Sequence, residues 1–332
     1  MIEVRAFARL HFGLMNVGAA PPWENLDGER INEGRRFGGV GLMIDAPRLI
    51  LRARPSSSTW SAQGSGHERI LATVQRLIDP SIKSAGFGSS VDLPPQQFEV
   101  IEALPEHAGF GSGTQLELAV ARTLLALLGR SDYSAADLAC WTGRGRRSAV
   151  GVHGFAHGGL IVEAGKRGDE GIAPLVVHAV LPEEWRIVTV LPAGHSGLHG
   201  DAECRAFDQL PASDSARDRL CRLVLLEMIP ALRVGDFPMF AEAVYEFNAR
   251  VGELFAPIQG GRYAQPLIAD GIRKLRCLGV RGVGQSSWGP AIFALVEDED
   301  RAGWLRKMVE GWSASARCWI GRAAGPACLL RS

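Results

Sequence analysis

Residues 105–114 read PEHAGFGSGT, and they carry most of the information about the architecture of this chain. An alternating segment, residues 97–103, precedes them and predicts a strand, while the almost wholly apolar residues 113–129 that follow predict a buried helix. The glycines allow close approach of the backbone to a ligand, and the helix N-terminus supplies free N–H groups and a positive dipole end. We therefore expect this loop to bind phosphate through Gly109, Gly111, Ser112, Gly113 and Thr114.

The spacing of this loop differs from two common phosphate-binding patterns. No Gly-Lys-Ser/Thr follows it, so it is not a Walker A loop, and Thr114 stands where a dinucleotide-binding fingerprint carries its last glycine. A glycine-rich turn that binds nothing is the alternative interpretation of the spacing taken alone.

Composition excludes several classes of protein. Lysine plus arginine and aspartate plus glutamate each count 36 in 332 residues, so the zero net charge argues against a partner bound through bulk charge, such as nucleic acid. No apolar run long enough to span a membrane and no signal peptide is apparent. The six cysteines form no C-x-x-C pair, which favours reduced thiols and a cytoplasmic enzyme.

The remaining pattern mixes strands and helices, which predicts an α+β protein of two domains, residues 1–185 and 186–332. The glycine-rich residues 32–47 are interpreted as a loop or hairpin entry. Glycines also argue against a helix over residues 151–159, so a zinc-binding pair of histidines is not expected there or at His195 and His199. The other expected elements are strands at 2–8, 47–53, 158–163, 175–181, 186–191, 291–296 and 317–321, and helices at 67–78, 214–229, 236–255, 266–278 and 299–311.

Three segments together resemble the GHMP kinase superfamily. Residues 105–113 are similar to its P-x-x-x-G-L-G-S-S loop, residues 280–287 (VRGVGQSS) to its third, C-terminal glycine motif, and residues 8–13 (ARLHFG) to its first motif. The resemblance implies a two-domain fold with an N-terminal α/β domain, in which the glycine loop opens a buried helix, and a C-terminal α+β domain of the ferredoxin-like kind.

The chain resembles one branch of the superfamily more closely than the others. Residues 37–45 (FGGVGLMID), 143–148 (GRGRRS), 158–163 (GGLIVE) and 284–290 (GQSSWGP) resemble the β-ribofuranosylaminobenzene 5′-phosphate synthase family, in the family's order along the chain. The chain departs from that pattern at Arg146 and Arg147, where small residues are usual, at Ala149 in place of glycine, and at Glu163 in place of aspartate.

The resemblance implies a decarboxylating pentosyltransferase. Phosphoribosyl pyrophosphate would condense with 4-aminobenzoate or 4-hydroxybenzoate, diphosphate and carbon dioxide would leave, and a C-riboside would result, the committed step toward methanopterin-type carriers. The anionic leaving group calls for Mg²⁺ and cationic donors, and an electron-releasing para group calls for a nearby base. A homodimer is the common outcome for such enzymes.

The predicted site residues follow from these segments. The planar fork of Arg144 is expected to bind a carboxylate or phosphate, and His153 and His107 are candidates for acid–base work. Glu163, at a strand end, is the candidate Mg²⁺ ligand. The further substrate-binding and phosphate-binding candidates are Arg9, Arg146, Arg147, Ser148, Gly284, Gln285 and Ser286.

Two other functions fit the same fold. An ATP-dependent small-molecule kinase is the main alternative, and residues 113–115 (GTQ) distinguish it, because kinases usually carry Ser-Ala-Ala there. A non-catalytic sensor would be expected to lose the polar residues of the glycine loops, which this chain retains at Ser112, Thr114, Gln285 and Ser286.

Overall fold

A large sheet organises the first half of the chain and a smaller sheet the second half. The computed structural model describes residues 1–17, 23–31, 34–78, 93–194, 197, 205–207, 210, 213–312 and 315–331. The strands are β1 (Ile2–Asn16), β2 (Trp23–Glu24), β3 (Arg30–Ile31), β4 (Phe37–Pro55), β5 (Ser61–Gln63), β6 (Gln96–Glu102), β7 (Leu160–Glu163), β8 (Leu175–Ala179), β9 (Arg186–Leu191), β10 (Gly282–Gln285), β11 (Ile292–Val296), β12 (Arg317–Gly321) and β13 (Cys328–Arg331).

The helices pack on these sheets and confirm the α+β class. They are α1 (His67–Ile78), α2 (Ser112–Leu127), α3 (Ala135–Thr142), α4 (Val150–His157), α5 (Asp214–Arg222), α6 (Ile229–Val234), α7 (Phe237–Gln259), α8 (Pro266–Cys277) and α9 (Glu299–Glu310), with a π-helical stretch, Leu223–Met228, between α5 and α6. Among the helices that the structure describes, none is long and apolar enough to cross a membrane.

The first sheet has the order β13-β1-β4-β6-β5, with β7 added to β4 and β8 added to β7. Its pairs are antiparallel except for the parallel pair of β5 and β6. The second sheet has the antiparallel order β10-β11-β9-β12. The predicted boundary between residues 185 and 186 falls just before β9, whereas β13 returns to pair with β1 in the first sheet.

Glycine-rich residues 37–46 form part of β4, so their interpretation as a loop is wrong. These strand positions are glycine at residues 39 and 41 because neighbouring atoms leave no room for a side chain. A Cβ on Gly41 would lie 2.4 Å from the carbonyl oxygen of Leu10. The C-terminal glycine motif is likewise a strand, β10, over residues 282–285. In both places packing against neighbours overrides the low strand propensity of glycine.

The glycines of residues 151–159 also do not prevent a helix. Residues 150–157 form α4, and a Cβ on Gly154 would lie 2.3 Å from the sulfur of Met43, on β4. The glycines therefore let the helix lie close to the sheet, which compensates for their poor helix propensity. His195 and His199, the second histidine pair, lie outside the described residues.

A buried serine joins three distant segments around the glycine loop. The Ser286 hydroxyl donates to the carbonyl oxygen of Gly109 at 2.7 Å and accepts from the backbone N–H of His11 at 3.0 Å. Asn248, on α7, adds bonds from its amide to the carbonyl oxygens of Phe12 and Gln285. These contacts fix β1, the glycine loop and the end of β10 relative to one another.

Replacement of Ser286 by alanine should destabilise the fold. The change leaves a buried C=O and N–H without this partner, each worth about 1–3 kcal/mol of the free energy of unfolding. Urea denaturation measures the loss. The matched control is Thr189→Val, which removes a buried hydroxyl that has no hydrogen-bond partner and should cost little. Equal stability of the Ser286→Ala and Thr189→Val proteins would contradict the structural role.

Candidate active site

One cavity of about 310 Å³ gathers half of the predicted site residues. It lies where β1, the start of α2, the loop of residues 143–148, α7 and residues 285–288 meet. Both sheets therefore contribute to its walls.

Arginines dominate one end of the cavity. Arg9 comes from β1, Arg144, Arg146 and Arg147 from the loop after α3, and Arg262 from the segment after α7. Glycines at positions 143 and 145 adopt positive φ values, 64° and 77°, and turn this loop toward the cavity. Five guanidinium groups in one cavity suit a ligand with several negative charges.

Aromatic and aliphatic side chains form another part of the lining, which adjoins the arginines at Arg147. Phe207, Phe255 and Trp288 pack edge to face, with ring centroids 4.7–5.8 Å apart. The guanidinium of Arg147 lies over the Phe207 ring, 5.0 Å from its centroid. The cavity thus joins an apolar surface that suits a flat ring to a cation that suits a carboxylate.

Arg144 lines the cavity, but its fork is bound to a protein carboxylate. Its Nε donates to Glu117 Oε2 at 2.9 Å, and its Nη2 donates to Glu117 Oε1. Arg76 donates to the same carboxylate at 3.0 Å. Burial alone would raise the pKa of Glu117, but the two guanidinium groups lower it below its ordinary value. The fork of Arg144 is therefore paired with the protein in this structure, and its role toward a ligand stays a prediction.

The glycine loop reaches the cavity through part of its length. Gly111, with φ 73°, and Thr114 line it, and Arg9 lies 3.3 Å from the Cβ position of Gly111. Ser112 and Gly113 lie nearer Arg69, whose Nη1 is 2.6 Å from the Cβ position of Gly113. The N-cap residue of α2, Gly111, makes no side-chain hydrogen bond to the N–H groups of the first turn.

The other glycine-motif residues are used in packing. A Cβ on Gly109 would lie 2.4 Å from the carbonyl oxygen of Ser286, and one on Gly284 would lie 2.4 Å from Oδ1 of Asn248. The Gln285 amide accepts from the N–H of Ala264 and donates to the carbonyl oxygen of Ser287. Gln285 lines the cavity, while the structure assigns the Ser286 hydroxyl to the contacts described above.

The structure does not bring His153 or His107 to the cavity. His153 is buried on α4, its Nε2 pairs with the carbonyl oxygen of Ala173 at 2.8 Å, and its ring stacks on His157. Burial lowers the pKa of both these histidines. His107 is exposed, with φ 52°, and its carbonyl oxygen accepts from the N–H of Gly197.

Glu163 does not fit the predicted role of Mg²⁺ ligand. It is fully buried outside the cavity lining, and its carboxylate accepts from the N–H of Gly165 at 2.6 Å and of Ala149 at 3.3 Å, and from Ser148 and Gly39. No aspartate or glutamate belongs to the cavity lining within the described part of the chain. The carboxylates through which proteins usually bind Mg²⁺ are thus missing from these residues.

His11 is the cavity histidine that sequence reasoning left out of the predicted site. It lies on β1, two residues after Arg9, and its Nε2 is 3.0 Å from the Ser148 hydroxyl. Its place in the ARLHFG motif was the available signal. Tyr263, after α7, also lines the cavity, and no motif marked it.

Comparisons with known proteins agree with this architecture. The model of the GHMP kinase N-terminal domain matches residues 71–159, and that of the GHMP kinase C-terminal domain matches residues 228–310. A mevalonate diphosphate decarboxylase from Enterococcus faecalis superposes with a TM-score of 0.65 at 15% identity, covering 100% of this chain and 99% of that one. A homoserine kinase from Cytophaga hutchinsonii superposes with a TM-score of 0.61 at 16% identity, covering 99% of this chain and 97% of that one. The fold is therefore that of the GHMP kinases.

Full-length relatives narrow the class. A β-ribofuranosylphenol 5′-phosphate synthase from Methanothermobacter thermautotrophicus is 31% identical over 312 residues, 88% of each chain. The protein of the same name from Archaeoglobus fulgidus is 27% identical, over 95% of this chain and 93% of its own. The chain belongs to the β-ribofuranosylphenol 5′-phosphate synthase family, which confirms the family inferred from its motifs.

Replacement of Gly111 by valine should abolish binding of the phosphorylated donor, because a side chain there strains a left-handed residue and crowds Arg9. Titration calorimetry with phosphoribosyl pyrophosphate measures the affinity. Gly129→Val is the matched control, since Gly129 has φ 68° at the other end of α2 and nothing within 4 Å of its Cβ position. Unchanged donor affinity in a folded Gly111→Val protein would remove this loop from the site.

Replacement of Arg144 by lysine should lower the free energy of unfolding by about 1–3 kcal/mol, because lysine cannot pair with both oxygens of the buried Glu117. Arg144→Ala should cost more. The sequence alone predicts instead that the fork of Arg144 binds a carboxylate or phosphate, in which case the change should lower activity. Denaturant unfolding measures the difference, and an unchanged midpoint with lost activity would favour the ligand-binding role instead.

The pH dependence of the same ion pair gives a second measurement. Since the folded-state pKa of Glu117 lies below its ordinary value of 4.5, the pair stabilises the protein above that pH. Its contribution is lost as pH falls through the lower, folded-state pKa. The stability difference between wild type and Glu117→Gln should therefore be greatest near neutral pH and shrink in acid.

Proposed function

We propose that this protein condenses phosphoribosyl pyrophosphate with a para-substituted benzoate, releasing diphosphate and carbon dioxide to form a C-riboside 5′-phosphate. The cavity carries the proposal, because it combines a cluster of arginines with an adjoining aromatic surface. A highly anionic sugar donor suits the first part, and the ring of the benzoate suits the second.

The donor is assigned to the arginine end. Thr114, Gly111 and the N–H groups of the first turn of α2 lie there with Arg9, and they suit one phosphate group of the donor. The loop arginine Arg146 suits the diphosphate, whose charge grows as its bond to the anomeric carbon breaks. Arg144 supports this loop through Glu117 and keeps its remaining N–H groups for the same anion.

The acceptor is assigned to the aromatic end. The benzoate ring fits against Phe207, Phe255 and Trp288, and its carboxylate fits the guanidinium of Arg147. The ring carbon that bears this carboxylate attacks the anomeric carbon, and carbon dioxide then leaves its electron pair on the ring.

The name of the relatives favours the hydroxy acid. They are called synthases of a ribofuranosylphenol phosphate, and a phenol follows from 4-hydroxybenzoate rather than from 4-aminobenzoate. Mg²⁺ remains part of the proposal as the counter-ion that accompanies the diphosphate of the donor, and no step is assigned to it. A homodimer and a cytoplasmic location likewise stay predictions.

Release of labelled carbon dioxide tests the proposal. The protein is incubated with phosphoribosyl pyrophosphate, Mg²⁺ and carboxyl-labelled 4-hydroxybenzoate or 4-aminobenzoate, and release is expected with the hydroxy acid above all. Omission of the donor is the control and should stop release. If neither acid releases label while ATP is consumed in the presence of a small alcohol, the protein is instead a kinase.

A further inference from the structure

We propose that His11 is the residue that takes the proton from the para hydroxyl of the benzoate, and that Ser148 and Glu163 are positioning residues that fix the orientation of its ring. The assignment of the hydroxyl rests on the proposed function. The arrangement of the three side chains is independent of it.

The three residues form a hydrogen-bonded chain that leads from the protein interior to the cavity. His11 Nε2 is 3.0 Å from Ser148 Oγ, and the Ser148 hydroxyl is in turn bonded to the Glu163 carboxylate. His11 and Ser148 line the cavity, while Glu163 lies behind them. The carboxylate fixes the hydroxyl, and the hydroxyl in turn holds the imidazole ring in one orientation.

Backbone N–H groups around the three side chains set the direction of the hydrogen bonds between them. The N–H groups of Gly39, Ala149 and Gly165 donate to the Glu163 carboxylate, which marks it as an acceptor for the Ser148 hydroxyl too. The N–H of Val150 points at Ser148 Oγ from 3.3 Å. The serine oxygen therefore accepts from His11, so Nε2 carries the hydrogen.

The second ring nitrogen, Nδ1, is then an acceptor on a residue that lines the cavity. Nδ1 of His11 makes no hydrogen bond to a described residue, and its lone pair is free once Nε2 carries the hydrogen. Burial and the charge of Arg9 hold the pKa of His11 well below its ordinary value, so the ring is neutral near pH 7. The other charges around it are the cavity arginines and the buried Glu163.

The protein packs tightly around these three hydrogen-bonded side chains. A Cβ on Gly39 would lie 2.7 Å from both Glu163 Oε1 and Ser148 Oγ, which accounts for glycine at this position of the FGGVG segment. His11 N–H and C=O are also fixed, by the Ser286 hydroxyl and by the N–H of Ser287. Both the ring and its backbone are thus held, as precise proton transfer requires.

The proton balance closes within the proposed reaction. His11 Nδ1 takes the phenolic proton as the ring carbon bonds to the anomeric carbon and the bond from that carbon to the diphosphate oxygen breaks. Carbon dioxide then leaves its bonding electron pair on the ring, which becomes aromatic again as a phenolate. The phenolate recovers the proton from His11, so the residue returns to its neutral form and no further reactant is needed.

Nitrogen NMR tests the arrangement without relying on activity. Protein labelled with ¹⁵N-histidine should show His11, assigned by its loss in His11→Gln, with hydrogen on Nε2. The Ser148→Ala change should abolish this preference, and Gly39→Ala should disturb it. A wild-type ring with hydrogen on Nδ1 overturns the positioning role, whatever reaction the protein catalyses.

Kinetics test the role of the ring. His11→Gln should lower kcat by roughly 100-fold, in the range expected of a general base, with little change in KM for the sugar donor. Ser148→Ala should lower kcat by roughly tenfold through misorientation of the ring. His153→Gln is the matched control, a buried histidine away from the cavity, and should keep its kcat.

A more acidic acceptor distinguishes base catalysis from a structural role. The phenol of 3-fluoro-4-hydroxybenzoate ionises more readily, so it should restore a large part of the kcat lost in His11→Gln and change wild type little. Equal deficits with both acceptors would overturn the assignment of His11 as the base. If wild type releases no carbon dioxide from either acid, the proposed function fails, and the NMR result still decides the arrangement.

Discussion

The hydroxyl of Ser286 is the contact on which the cavity depends. It pairs with the backbone of Gly109 on one side and of His11 on the other, and these residues are separated from it by 177 and 275 positions in the chain. Buried backbone groups must be paired, so the glycine loop, β1 and the end of β10 are held together at this point. The phosphate-binding end and the histidine are consequently placed by the contact between the two sheets, not by either sheet alone.

The positive charge of the arginine cluster is partly balanced by other groups of the protein. Cations so close together repel one another, and the protein places acidic or aromatic groups behind them. Glu117 pairs with Arg144, Glu253 pairs with Arg262 at 2.6 Å, and the Phe207 ring lies under Arg147. Glu117 is buried and Glu253 is exposed, and neither belongs to the cavity lining, so the charge facing the cavity remains positive. The site is thus ready for an anion before the anion arrives.

Much of the fold could be predicted from the sequence, and the failures share one cause. Local periodicity predicted the apolar helix after residue 112 and the amphipathic α1, because each helix is determined by the burial of its own apolar residues. The glycines of β4, α4 and β10 were misinterpreted because their purpose is to admit a distant atom, such as Met43 at Gly154 or Asn248 at Gly284. Such contacts depend on the tertiary structure, and a single sequence does not contain them. The same limit applies to the site, where the motifs located Arg147, Ser148 and Gly111 in the cavity but singled out His153, which lies outside the cavity lining.

The composition of the cavity also bears on how a glycosyl cation would be stabilised. A sugar that becomes positively charged at its anomeric carbon is favoured by nearby negative charge, yet the cavity lining in the described part of the chain carries no carboxylate. In the proposed reaction the substrates supply this charge themselves, through the departing diphosphate on one side and the benzoate carboxylate on the other. The arginines then serve to hold two anions together against their mutual repulsion. A neutral histidine suits such a site better than an anionic base, because it can accept a proton without adding negative charge that would compete with the substrates for the same cations.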